Sequence, residues 1–162
     1  VQSLRDRSAD ALVLDIRSLS PANDLIVEPL CELPGAFMCR KGHALSKKKQ
    51  VTLDMVRQYP VASTPLSDEV ARVLIDRYGP EAHPDQLITL RCEEISSLLD
   101  VARTSDAVVV AVRAVAPDLQ ELRMQPPLNA TARFGWVTLK NRSVPPLYEA
   151  LQAEARKLLA PA

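Results

Sequence analysis

The sequence predicts an α/β protein with mixed, largely parallel sheets flanked by helices. Apolar runs suited to buried strands, such as residues 107–112, alternate with segments whose apolar residues recur at helical spacing. Helix-start signals follow several of these runs, as at Thr64-Pro65 and at Glu93-Glu94. The chain has 162 residues, 47% of them hydrophobic, which is enough to bury the core of one domain or of two small lobes.

The elements follow from local patterns. The predicted strands cover residues 10–16, 25–30, 35–41, 61–63, 86–91, 107–112 and 131–139. The predicted helices cover the end of a helix at 1–8, a short helix capped by Thr52, residues 64–78, a helix opened by Glu93 or Glu94, and residues 145–159. We expect the strand at 10–16 to be buried on both faces and Pro29 to mark the edge or end of its strand.

The strand at 35–41 has two faces, with Phe37 and Cys39 opposite Met38 and Arg40. A break at residues 42–50 follows it, and a second break lies at residues 126–130. These breaks predict an outer lobe of residues 1–42 and 132–162 and an inserted inner lobe of residues 43–131, joined by two crossovers.

Composition excludes several classes of function. The 20 basic and 20 acidic residues balance, whereas a nucleic-acid surface needs a basic face, and only 4% of residues are aromatic. The three cysteines and two histidines have no metal-ligand spacing, and no catalytic or phosphate-binding motif occurs, so we expect no metal, no cofactor and no enzyme activity. No apolar run is long enough for a membrane span and no signal peptide is recognisable, which favours a cytoplasmic location.

Four segments in order resemble the effector-binding domain of LysR-type transcriptional regulators. They are residues 4–14, 37–45 with their Gly-His-Ala-Leu end, 51–61, and 132–140 followed by the helix at 145–159. The resemblance spans nearly all of the chain. It implies a type 2 periplasmic-binding-protein-like fold of two lobes, with a small-molecule site between them.

The chain departs from the family pattern at its start and in one turn. We expect the family's winged helix-turn-helix, and also the first strand and helix of the effector domain, to lie outside this sequence, so the outer lobe is expected to be incomplete. Residues 103–107 stand where the family often has a glycine-containing turn. The resemblance implies a homodimer or homotetramer, with the helix at 64–78 as the remaining pairing surface or as an ordinary helix with one solvent face.

Candidate ligand contacts lie where strands end and helices begin, because ligands of open α/β sheets bind there. They are Asp15, Arg17, Ser18, Ser63, Thr64 and Glu93. The three loops that carry them each have a structural alternative: a solvated turn for Arg17, a helix N-cap for Thr64, and a complement to the helix dipole for Glu93. Together they favour a carboxylate or a zwitterion as the effector.

Two further hypotheses stand beside an effector-sensing domain that transmits ligand binding to DNA-binding domains outside this chain. One is an extracytoplasmic solute-binding protein of the same fold, which the unpaired cysteines and the lack of a signal peptide disfavour. The other is an enzyme, which no catalytic constellation supports.

Overall fold

The computed structural model describes residues 1–140 and 147–158. Its strands are β1 (Leu12–Asp15), β2 (Leu25–Cys39), β3 (Val61–Ser63), β4 (Leu90–Arg91), β5 (Val108–Val112), β6 (Gln120–Glu121) and β7 (Thr131–Leu139). Its α-helices are α1 (Gln2–Arg5), α2 (Leu53–Val56), α3 (Asp68–Tyr78), α4 (Pro84–Leu87), α5 (Ile95–Thr104) and α6 (Tyr148–Leu158).

The chain divides into two compact units. Unit 1 comprises Val1–Leu33 and Ala132–Ala162, and unit 2 comprises Pro34–Thr131. The first division therefore lies earlier in the chain than the predicted boundary after residue 42. The reason is strand pairing, since residues 35–38 form an antiparallel ladder with β5 of unit 2.

Unit 1 is built on β1, β7 and the first part of β2. β1 pairs antiparallel with β7, with Leu12 opposite Val137, and β7 lies next to β2 in the strand order. Leu4 of α1, Leu25 and Val137 are buried in its core. β1 ends the strand order and Val13 is 43% exposed, so the expectation of a strand buried on both faces is wrong.

The terminal helix α6 packs against the strands of unit 1. The Tyr148 ring meets the Trp136 ring edge-on with centroids 5.1 Å apart, and Gln152 Nε2 donates to Glu28 Oε2 at 2.7 Å. Trp136 therefore packs within unit 1. The predicted helix start at Pro145-Pro146 lies outside the described residues.

Unit 2 contains a mixed sheet with strand order β2–β5–β3–β4, with β6 also paired to β2. β3 runs parallel to both β4 and β5, whereas β2 is antiparallel to β5 and to β6. The predicted mixed sheet with flanking helices is confirmed. Its parallel part is smaller than expected, because β2 enters the sheet in the reverse direction.

The two faces of this sheet carry separate apolar clusters. Phe37 and Leu74 of α3 belong to one cluster, and Met38 and Leu98 of α5 belong to the other. The alternation predicted for residues 35–41 is confirmed, and α3 and α5 bury the faces that their spacing predicted.

Three local predictions are wrong. Residues 25–39 form one strand, since prolines such as Pro29 are tolerated where a ladder needs no N–H donor. Residues 84–87 form α4, which has Pro84 at its first position, and only Leu90–Arg91 of the predicted strand pairs with β3. The N-cap of α3 is Ser67, whose hydroxyl accepts from the Val70 N–H, and not Thr64.

Candidate functional site

The carboxyl ends of β3 and β4 lie side by side in unit 2, because the two strands are parallel with Ser63 opposite Arg91. Ser63 is fully buried, and its hydroxyl donates to the Val110 carbonyl of β5 at 2.9 Å. That bond ties the predicted contact to the sheet and uses the only proton of the hydroxyl, so a ligand that left the bond intact could only donate to this oxygen.

Thr64 is half-buried and lines a groove of about 250 Å³ beyond these strand ends. The groove also takes its walls from the start of α3 and from the α4 region: Pro65, Leu66, Asp68, Ala71, His83, Pro84, Asp85, Ile88 and Arg91. Because α3 begins four residues after Thr64, this hydroxyl does not cap the helix. Of the six predicted contacts, Thr64 is the one in the lining of this groove.

The charged groups of the groove are organised around Asp85. Arg91 Nη2 donates to Asp85 Oδ1 at 2.7 Å and to the Pro84 carbonyl at 2.9 Å. The hydrogen bond and charge of Arg91 hold the pKa of Asp85 below its ordinary value. The Asp85 N–H donates to His83 Nδ1 at 3.2 Å. The groove therefore presents both charge signs and a hydroxyl, a set suited to a small polar ligand.

Glu93 is exposed and follows β4 by two residues. It is absent from the lining of the groove. The N-cap of α5 is Glu94, whose carboxylate accepts hydrogen bonds from the hydroxyls of Ser96 at 2.8 Å and Ser97 at 3.2 Å. The predicted choice between Glu93 and Glu94 as the helix start thus resolves to Glu94.

The three candidates in unit 1 bond to one another in the turn after β1. Asp15 Oδ1 accepts from the backbone N–H and from Nε of Arg17, and Asp15 Oδ2 accepts from Arg17 Nη2, each at 3.1 Å. Ser18 Oγ donates to the Asp15 carbonyl at 2.6 Å. Burial raises the pKa of Asp15, but the hydrogen bonds and charge of Arg17 outweigh it and leave the pKa lowered. The turn is a preformed, internally paired polar loop.

Comparison with known proteins identifies the family. The sequence model of the LysR substrate binding domain matches residues 1–160. This chain belongs to that family. The resemblance proposed from four segments is therefore confirmed.

One relative of known role is similar to this chain over most of its length. The SDS degradation transcriptional activation protein of Pseudomonas sp. (strain ATCC 19151) is 30% identical over 160 residues, covering 93% of this chain. The chain spans about half, 51%, of that relative's length.

Two solved structures share the fold. A protein of Vibrio parahaemolyticus described as a transcriptional regulator is 18% identical, with a TM-score of 0.70 over 97% of this chain and 73% of its own. The CcmR regulatory domain of Synechocystis PCC6803, solved in complex with 2-PG, is 12% identical, with a TM-score of 0.67 over 99% and 79%. The type 2 periplasmic-binding-protein-like fold is thus confirmed.

Sequence reasoning about this LysR substrate binding domain missed a second cavity in unit 2, of about 500 Å³. It is lined by Pro34, Gly35, Ala36, Phe37, Glu121, Leu122, Arg123, Met124, Pro127, Leu128, Asn129, Ala130 and Thr131. The signal available in the sequence was Arg123 between the apolar residues Leu122 and Met124.

Two features are absent from residues 1–140 and 147–158. No group of three His, Cys, Asp or Glu side chains in these ranges could hold a metal ion. None of their helices is both long enough and apolar enough to cross a membrane.

Proposed function

We propose that this chain is the effector-sensing domain of a bacterial LysR-type transcriptional regulator, which acts on DNA through domains outside this sequence. The observation that carries the proposal is the family match over residues 1–160. The transcriptional activation role of the 30% identical relative supports it. The same observations favour regulation over catalysis and over the extracytoplasmic solute-receptor alternative, and a regulator that meets DNA works in the cytoplasm.

We assign effector binding to the strand ends of each unit. In unit 2 the contacts are Thr64 and the groove residues Asp85 and Arg91, with Ser63 beneath them and Glu93 beyond β4. In unit 1 they are Asp15, Arg17 and Ser18. Paired charges of both signs in each unit match a carboxylate or a zwitterion, because such a ligand can exchange with one partner of each pair. The complex of the CcmR domain with 2-PG supports a small-molecule ligand.

Units 1 and 2 correspond in this proposal to the outer and inner lobes of the sensor. Effector binding shifts the domain between two arrangements by as much as the effector's affinity for them differs. In a homodimer or homotetramer, this shift between arrangements changes the affinity of the DNA-binding domains for DNA.

A thermal-shift screen of carboxylates and amino acids tests the proposal. A ligand at 100 times its dissociation constant stabilises a folded protein by about 2.7 kcal/mol, or about 5–10 °C for a chain of this size. We expect at least one such compound to stabilise the wild type and to lose most of its effect in Arg91→Gln. Arg72→Gln, an exposed arginine of α3 outside the groove, is the matched control and should keep the effect. A screen without any stabilising compound would count against effector sensing, and equal shifts in both variants would count against the groove.

A further inference from the structure

The 500 Å³ cavity of unit 2 combines an apolar floor with a polar rim. Its floor contains Phe37, Leu122, Met124, Leu128 and Ala130, which all belong to the buried cluster on one face of the sheet. Its volume lies within the range of small-molecule sites, roughly 300–1,000 Å³. An apolar floor of this kind accepts a hydrocarbon group rather than a sugar or a nucleotide.

The rim carries two charged side chains, Glu121 and Arg123. Glu121 is neutralised by Arg113, whose Nε lies 3.3 Å from Glu121 Oε2. Arg123, by contrast, has no ion-pair partner among residues 1–140 and 147–158. Within the described part of the chain, the cavity therefore offers one guanidinium without an ion-pair partner, beside an apolar floor.

A guanidinium forms its strongest hydrogen bonds with carboxylate and sulfate oxygens, in a forked geometry. We propose that this cavity is a second ligand site, which binds an amphipathic monoanion with a medium-length alkyl chain. The acid group pairs with Arg123, and the alkyl chain covers Leu128 and its apolar neighbours. This site is distinct from the groove at Thr64, with which it shares no lining residue.

The position of the cavity allows a bound ligand to contact the two segments that connect unit 2 to the rest of the chain. Its walls include residues 34–37 and 127–131, the two segments at which the chain enters and leaves unit 2. The Gly35 N–H donates to the Ala130 carbonyl at 2.8 Å, which ties the two segments together. A bound ligand would contact both segments at once and stiffen them.

Isothermal titration of the 162-residue chain tests the site, with hexanoate, octanoate, octyl sulfate and 1-octanol as probes. We expect one molecule of octanoate or octyl sulfate to bind per chain. Affinity should fall about fourfold for each methylene removed, because each buried methylene contributes about 0.8 kcal/mol. 1-Octanol, which lacks the charge, should bind at least about tenfold more weakly than octanoate.

Arg123→Gln should weaken octanoate binding about tenfold or more, and Arg123→Lys by less, because lysine keeps the charge without the forked geometry. Arg57→Gln removes another exposed arginine of unit 2 outside the cavity and should bind like the wild type. Because Arg123 is exposed, thermal unfolding without ligand should be equal in all three variants. Equal octanoate affinity in Arg123→Gln and wild type, or equal affinity for octanol and octanoate, would overturn the proposal. Either result would leave the effector groove at Arg91 untouched.

Discussion

Replacing His43 by leucine should destabilise unit 2, although the sequence pattern assigns this histidine no role as a metal ligand. The side chain is fully buried, and its ring lies against Tyr59 with centroids 4.5 Å apart. His43 Nδ1 accepts from the Leu45 N–H at 3.0 Å, so the ring proton is on Nε2, which lies 3.2 Å from the Asp106 carbonyl. The imidazole thus satisfies one donor and one acceptor of the main chain.

Leucine fills a similar space but bonds to neither group. Each buried main-chain group left unpaired costs about 1–3 kcal/mol, so losing both partners in His43→Leu should cost about 2–6 kcal/mol of unfolding free energy. His43→Gln should lose less, because its amide can donate to the Asp106 carbonyl. The matched control is His83→Leu. His83 Nδ1 also accepts a backbone N–H, but the residue is exposed and water can replace the bond.

Urea unfolding followed by circular dichroism measures the three free energies. The expected order of loss is His43→Leu, then His43→Gln, then His83→Leu, the last within about 1 kcal/mol of wild type. If His43→Leu stayed within about 0.5 kcal/mol of wild type, the two bonds would contribute nothing and the reasoning from burial would fail.

Three other predictions address stability. Ser67→Ala should cost about 1 kcal/mol in urea unfolding and Thr64→Ala clearly less, since Ser67 caps α3; the reverse order would restore the sequence-based assignment. Arg17 lowers the pKa of Asp15 in the folded state, so the Asp15 carboxylate stabilises the protein above its ordinary pKa of 3.8. This stability is lost as the pH falls through the lower pKa of the folded state. The difference in unfolding free energy between wild type and Asp15→Asn should therefore disappear in acid, and a difference that does not change with pH would refute the pairing. Gly135→Ala should reduce the melting temperature because the new methyl group meets the Ile16 side chain. The double variant Gly135→Ala/Ile16→Ala should lose less stability than the sum of the losses in the two single variants, and losses that simply add would contradict the contact.

Local periodicity predicted much of the fold. Alternation at Phe37 and Met38 identified the two faces of β2, and the spacing of Leu74 and Leu98 with their neighbours identified the buried faces of α3 and α5. These patterns depend on residues within one element, so the sequence displays them directly.

Periodicity within one element does not show which distant segments pair with each other. The position of β1 at the end of the strand order depends on β7, more than a hundred residues later. The capping of α3 was missed because Thr64-Pro65 and Ser67-Asp68 are both acceptable starts, and the local pattern does not rank them. At the candidate site, the sequence located the strand ends but not the bond between Ser63 and Val110. It also did not show that Arg123 has no ion-pair partner among the residues that the structure describes. Both features depend on tertiary contacts.

The most direct test of an effector-sensing role is the affinity of the full gene product for its own promoter DNA, measured with and without a compound that stabilises this chain. Coupling between two sites is typically 1–3 kcal/mol, so the compound should change the dissociation constant for DNA about fivefold or more. The change should disappear in Arg91→Gln, which retains the DNA affinity of the ligand-free wild type. A protein that binds no promoter DNA, or binds it equally with and without the compound, would contradict the assignment.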